Sequence, residues 1–214
     1  MRKIKTARRD EIVEAAIALA REKGLDALSM RSLAARLELT PMALYGYFRN
    51  KDDLLDAVVG RLLNQLPVPD PALPPLERLG VLAGGVRVLA RAHPAVVSLL
   101  FTRPSVTEDA VRAVDRIYQA LLEAGVPDDQ VGRLERLLST FVLGFVVSEV
   151  EGRFSDGSRN MRSRRGLLGP DELPAHHRLG PLLDPKVDWD AEFEADLADL
   201  VAVVESVVRA ARRG

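Results

Sequence analysis

The chain has no cysteine and only three histidines in 214 residues. The first absence excludes a disulfide framework and any thiolate metal site, and it fits a reducing cytoplasm. The second leaves little from which to build a metal centre: His176 and His177 are adjacent, with no further histidine or acidic cluster at ligand spacing, so no metal and no cofactor is expected. No Gly-rich loop could cradle a phosphate and no serine-nucleophile motif is present, which argues against an enzyme. No apolar run approaches the length that spans a bilayer, and the first residues are charged rather than signal-like. A cytoplasmic protein with no membrane partner is therefore expected. Strand patterns and internal repeats are also missing, so the fold class expected is all-α.

Charge of either sign is in near balance overall, at a net −1, but its distribution is uneven. Residues 1–51 carry 11 Lys or Arg against 6 Asp or Glu, a net +5, and the remainder carries 19 against 25, a net −6. A basic N-terminal part on an acidic remainder is the footprint of a chain in which one part alone meets phosphate.

Residues 29–54, SMRSLAARLELTPMALYGYFRNKDDL, are the most informative stretch. Ser29 is a helix N-cap, since its hydroxyl can accept from an N–H of the first turn. Leu33, Ala34 and Leu37 share a face at helical spacing. Glu38 and Leu39 fill a turn, Thr40 caps the next helix, and Pro41 stands at its first position, where a missing N–H does no harm. Asn50 caps a further helix starting at Lys51. Upstream, Ile12, Ala15, Ala16 and Leu19 form an apolar stripe on a helix from about Ala7 to Lys23, with Gly24 as its stop. Leu44 and Phe48 are candidates for the shared core. Two short helices joined by a tight turn are helix-turn-helix geometry, the second helix being the one that enters a major groove.

The run T-P-x-A-L-Y-x-Y-F-x-x-K-x-x-L-L from Thr40 to Leu55, with the segment before it, resembles the signature of the tetracycline-repressor (TetR) family of bacterial transcription regulators over roughly residues 8–58. The resemblance implies a three-helix DNA-binding domain over 1–51, a connecting helix over 52–66, and an effector-binding and dimerisation domain over 67–214. It also implies roles. Arg31 offers a charge to DNA, and Pro41, Met42 and Ala43 face base edges, with Thr40 capping their helix. None of these three makes a bidentate base contact, although methionine and alanine can pack on a thymine methyl. Gly46 lies where some relatives place a larger base-contacting residue. Tyr45 and Tyr47 can donate to phosphate oxygens, with core packing as the alternative, and Lys51 adds a charge at a helix N-terminus. Arg2, Lys3, Lys5, Arg8 and Arg9 either reach phosphates or a minor groove or form a solvated tail. Two such heads on one dimer would bind a palindromic double-stranded operator with half-sites about 34 Å apart.

Beyond Leu66 a proline-rich stretch, Pro67 to Pro75, breaks the helical pattern. Helices are expected over Leu76 to His93, Ala95 to Phe101, Thr107 to Ala124, Pro127 to about Glu151, and Trp189 or Asp190 to Arg212. From Gly152 to Pro185, Gly, Ser, Pro and Arg predict a mobile loop with one helical turn. Arg159, Arg162, Arg164 and Arg165 in it are either a solvated loop or a lid over an anionic effector. The second half of the Val131 to Val150 helix is apolar almost all round. The last helix carries Phe193, Leu197, Leu200, Val201, Val204, Val207 and Val208. These two helices either pack within one subunit or pair with their copies as a four-helix bundle in a homodimer, which the resemblance favours.

Phe101-Thr102-Arg103-Pro104 and Thr140 to Phe145 resemble segments of the ligand domain of the tetracycline repressors themselves. Those proteins use a histidine where this chain has Leu99 and a glutamate where it has Ser148, so tetracycline–Mg²⁺ is not the effector expected. Glu149, next door, would point elsewhere on the helix. Phe101, Arg103, Tyr118, Phe141, Phe145 and Ser148 are the candidate lining of an apolar effector cavity. His93, just before Pro94, is either a helix cap or a further lining residue. The function expected is a small-molecule-responsive repressor. The alternatives are an activator, a regulator without an inducer, or a cavity-bearing enzyme or carrier.

Overall fold

In the computed structural model of the chain the described residues are 2–103, 106–153, 166 and 168–213. Among them there are helices and turns and no strand. Helix α1 spans Arg2–Lys23 and ends at Gly24, whose φ of 83° is open to glycine and costly for other residues. It begins five residues earlier than the sequence pattern suggests. A single 3-10 turn, Leu25–Ala27, leads to α2, Met30–Arg36. Ser29 and Ser32 cap α2 reciprocally: Ser32 N–H donates to Ser29 Oγ at 3.0 Å, and Ser29 N–H donates to Ser32 Oγ at 2.9 Å.

Helix α3, Pro41–Tyr45, is capped by Thr40, whose Oγ1 accepts from Ala43 N–H at 3.2 Å. Helix α4, Lys51–Leu63, is capped by Asn50, whose Oδ1 accepts from Asp53 N–H at 2.8 Å. Between α2 and α3, Glu38 has a φ of 55°, the one positive φ outside glycine among the described residues. The chain takes that conformation because the tight turn demands it, and a side chain there is strained.

The remaining helices are α5, Pro75–Ala92; α6, Val97–Thr102; α7, Glu108–Glu123; α8, Asp128–Val150; α9, Pro174–Leu183; and α10, Trp189–Ala211. Three of their boundaries follow visible signals. Thr107 Oγ1 accepts from Ala110 N–H at the start of α7. Gly125 closes α7 with a φ of 89°. Asp188 caps α10 through two N–H groups, those of Asp190 and Ala191. His93 is the residue that ends α5, its N–H donating to the Leu89 carbonyl at 2.9 Å.

The expected single turn between Gly152 and Pro185 is instead the ten-residue helix α9, with Pro174 at its first position and Pro181 inside it. Two prolines in ten residues hide a helix from pattern reading, yet a first-turn proline costs nothing, and the second, which removes one i→i−4 hydrogen bond and crowds the carbonyl four residues earlier, stands in the last turn. Arg159, Arg162, Arg164 and Arg165 lie outside the described residues, as does Pro104.

One core runs through the head and into the body. It includes Ile12, Leu33, Leu44, Phe48, Leu54 and Val58 from the head and α4, and continues through Val96, Val97, Leu100 and Val146. Helix α4 is the shared wall, packed on α1 on one side and on α6 and α7 on the other. Its approach to α7 is close because residue 60 is glycine: a Cβ there would collide with the side chain of Thr107. A second core joins Leu79, Leu121, Leu134 and Val204, and a third joins Ala83, Val142 and Phe193. Helices α8 and α10 thus contribute to the subunit's own interior along one face.

Candidate DNA interface and effector cavity

Arg31 at the start of α2 and the outer face of α3 form one exposed ridge. Arg31, Thr40, Pro41, Tyr45 and Lys51 are exposed, and Met42 is 78% exposed, which is unusual for so apolar a side chain. Ala43 and Tyr47 are half-buried, and Tyr47 packs on the core with Leu44 and Phe48 beneath it. A helix of five residues cannot hold itself in water. Here it is held by its cap, by Leu44 at 0% exposure, and by the fit of α2 against it.

Ion pairs brace the head behind the ridge. Arg36 donates through two nitrogens to Glu22 of α1, at 2.7 and 2.8 Å, and Arg61 of α4 donates to Glu14 of α1. Hydrogen bonds from Arg36, and then its charge with those of Arg21 and Lys23, hold the Glu22 carboxyl below the ordinary glutamate range against a smaller upward push from burial.

Two members of the expected basic tail are engaged within the head. Arg9 lies over the Phe48 ring at 4.6 Å and pairs with Asp53 at 3.7 Å, and Arg8 donates to Glu11 at 2.6 Å. Their neighbours in sequence are helical, because α1 begins at Arg2. Arg49 was not singled out from the sequence, yet its side chain is 89% exposed next to Lys51. Its position just before a capping asparagine was the signal available.

In the body, a cavity of about 160 Å³ opens between six helices. Leu63 of α4, Leu79 of α5, Leu100 of α6, Ile117 of α7, Val142 of α8 and Leu200 of α10 each contribute to its wall. The lining is apolar except for Glu135 and Ser139, one helical turn apart on α8, where Ser139 Oγ donates to Glu135 Oε1 at 2.7 Å.

None of the six expected effector residues lines this cavity. Phe101 is 52% exposed on the surface. Arg103 turns away onto α4, donating from Nε to Asp56 Oδ1 at 2.8 Å and from Nη1 to Asp52 Oδ1 at 3.1 Å. Tyr118 packs beside the Leu79–Leu121 core. Phe141, Phe145 and Ser148 do come together, but in a second, more open hollow of about 480 Å³ with Trp189, Glu192 and Asp196. The physical reason is rotation about α8. Residues 141, 145 and 148 face roughly 100° away from residues 135, 138, 139 and 142, a difference of one position in a helix of 3.6 residues per turn. In the second hollow, Phe145 meets Trp189 edge-on at 5.4 Å and Phe193 at 5.1 Å. Burial, then the charges of Glu192 and Asp199, push the Asp196 carboxyl above its ordinary range.

Beside that hollow a charge network with a buried centre, Arg87 and Glu149, ties three helices. Arg87 of α5 donates to both carboxylate oxygens of Glu149 of α8, at 2.9 and 2.7 Å, and to the Trp189 carbonyl at 2.7 Å. Arg91 adds a bond to Glu149 at 2.6 Å and one to Asp190 at 2.9 Å. Burial pushes the Glu149 carboxyl up, but the hydrogen bonds and charges of the two arginines together outweigh it and leave it below the ordinary glutamate range. The aromatic rings help, since the Arg87 guanidinium lies 4.7 Å from the Phe193 ring centre. Glu149 is thus fully committed to structure and lines neither cavity.

Comparison with known proteins joins these two parts. Residues 12–58 match the model for bacterial regulatory proteins of the tetR family, and residues 71–208 match the tetracyclin repressor-like C-terminal domain. An HTH-type transcriptional regulator of Saccharopolyspora erythraea is 30% identical over 197 residues, covering 90% of this chain and 82% of that protein. The class A tetracycline repressor of transposon 1721 from Escherichia coli is 29% identical over 203 residues, covering 89% and 87%. Among solved structures, apo ActR from Streptomyces coelicolor superposes with a TM-score of 0.80 at 27% identity, covering 94% of this chain and 97% of that one. ActR has also been solved in complex with actinorhodin, with a TM-score of 0.78 to this chain at 26% identity, covering 92% and 95%.

Proposed function

Because the chain belongs to the tetR family of bacterial regulatory proteins, which are DNA-binding regulators and not enzymes, we propose that it represses transcription from a palindromic operator as a homodimer and is released by a small molecule. The observation that carries this is the exposed α3 ridge on a head whose core continues into a body holding a nearly all-apolar cavity. Arg31, Arg49, Tyr45 and Lys51 would contact phosphates, while Met42, Pro41 and Ala43 would face base edges, so sequence would be read by methyl packing and by DNA shape more than by bidentate hydrogen bonds.

A second copy would pair along α8 and α10. Their outer faces support this: Ala191, Ala195, Ala198 and Ala202 form an exposed row of small residues at alternating four- and three-residue spacing, and Leu137 and Val203 are about 40% exposed. A ligand in the cavity would touch α4, α6 and α7 together, and α4 carries the head. An effector that fits better when α4 is displaced shifts the population away from the conformer whose two heads match adjacent grooves. That ActR has been solved with actinorhodin supports a small-molecule effector here without naming one.

The test is selection of random duplex DNA by the full chain, with a Met42→Ala, Lys51→Ala double variant as control. Both side chains are exposed, so the variant should fold. A palindrome enriched by the wild type and lost in the variant is the expected outcome. No enriched motif at modest salt would remove the operator-binding claim.

A further inference from the structure

We propose that the cavity takes a compact, mostly apolar molecule carrying a single amine, seated on Glu135. This rests on reading the cavity as the effector site, and it adds the ligand's chemical class. Lys, Arg and His are absent from its lining, so an anionic ligand would enter an apolar space with no counter-charge and a carboxylate already present. Burying an unpaired charge beside a like charge is strongly disfavoured.

The carboxylate is placed to receive a donor. Glu135 is half-buried, and its one hydrogen-bond partner among the described residues is the Ser139 hydroxyl, which donates to Oε1 and leaves Oε2 open. An ammonium at Oε2 would gain a charge-assisted hydrogen bond. A second N–H of the same amine could donate to Ser139 Oγ, whose lone pairs remain available. A neutral alcohol could make one such bond without the charge. Every other lining residue offers methyl and methylene groups, so the rest of the ligand must be apolar. The volume, about 160 Å³, compares with the roughly 150 Å³ apolar cavity that holds benzene in an engineered core, so a body of one or two rings suits it.

Gly80 supplies a control that the cavity itself provides. It lines the space, and a Cβ built on it meets nothing within 4 Å. Gly80→Leu therefore fills the cavity from inside a helix without a clash at its root, and replacing a mid-helix glycine favours the helix.

The experiment is calorimetric titration of the full chain with 1-naphthylmethylamine, 1-naphthylmethanol and 1-naphthoic acid, which share a ring body and differ in head group. The amine should bind about ten- to a hundredfold more tightly than the alcohol, and the acid weakest. In Glu135→Gln, which keeps the shape and the Ser139 partner, the amine should lose its advantage while the alcohol is little changed. Gly80→Leu should abolish binding of all three. Equal binding of acid and amine, an amine preference that survives Glu135→Gln, or no binding by any of the three would overturn the assigned class. Binding that persists in Gly80→Leu would place the ligand elsewhere and overturn the cavity as the site as well. Operator selection is an independent readout, so failure of the ligand class leaves the DNA-binding proposal standing or falling by its own result.

Discussion

Arg103, the residue that ends α6, donates from Nε to Asp56 Oδ1 of α4 at 2.8 Å, and its other nitrogens reach Asp52. The two carboxylates sit one turn apart on the helix that carries the head. This makes Arg103 a direct polar link between α6, whose Leu100 lines the cavity, and α4, which packs on α1 of the head.

Breaking that link should loosen the head's orientation without unfolding the head. Arg103→Ala and Asp56→Ala should each weaken operator binding by roughly three- to tenfold. Their double-mutant cycle should give a coupling of about 1 kcal/mol, since half-buried charged partners in contact do not act independently. Independent, additive effects on operator affinity would show that the contact does not set head position.

Lys51 is exposed at the N-terminus of α4 and pairs with no carboxylate among the described residues. Lys51→Ala should weaken binding to all duplex sequences alike and lower the slope of log affinity against log salt by about one. Met42→Ala should leave that slope unchanged and alter base preference at one position. Affinity measured over a salt series on the selected operator and on unrelated DNA distinguishes the two.

Glu149 should make stability depend on pH in a defined window. Its folded carboxyl is held below the ordinary value of 4.5, so the stabilisation is complete above that value and is lost as pH falls through the folded one. Glu149→Gln leaves Arg87, itself 8% exposed, with only the exposed Asp190 carboxylate at 2.8 Å as a counter-charge, at a cost on the order of 3 kcal/mol at neutral pH. The gap between variant and wild type should shrink as pH drops below 4.5. Denaturant melts at pH 7 and at about pH 3 check this, and a gap independent of pH would contradict it.

Glu38→Gly should stabilise the chain by about 1 kcal/mol, raising the thermal midpoint by roughly 2–4 °C, because the residue's φ of 55° strains any side chain. Glu38→Ala keeps the Cβ and should gain nothing. A gain equal in both variants would assign the effect to the lost charge and not to the backbone.

The head was legible because its signals are local. Ser29, Thr40, Pro41 and Asn50 act on N–H groups within three residues of themselves, so each cap is written where it works. The exposed ridge follows from the same pattern, and Arg49 is marked in the sequence only by its place beside the capping Asn50. Helix α9 was hidden because Pro174 and Pro181 read as breakers, although one sits where it is harmless.

The cavity was not legible, and neither was the role of Arg103 or Glu149. Aromatic and polar residues on α6 and α8 suggested a lining, but which side of a buried helix faces a hollow depends on how its neighbours are turned. One residue of rotation about α8 separates Phe141, Phe145 and Ser148, which line the second hollow, from Glu135 and Ser139, which line the cavity.

By itself, then, the sequence determined the helical class, the caps, the helix-turn-helix and its basic bias, because periodicity, capping chemistry and turn geometry act over a few residues. Only the tertiary structure decided which groups pair across Arg87–Glu149 and Arg103–Asp56, partners 62 and 47 residues apart. It also decided where space was left unfilled. Contacts between distant segments and the gaps among six packed helices are properties of their mutual orientation, and no local pattern encodes that.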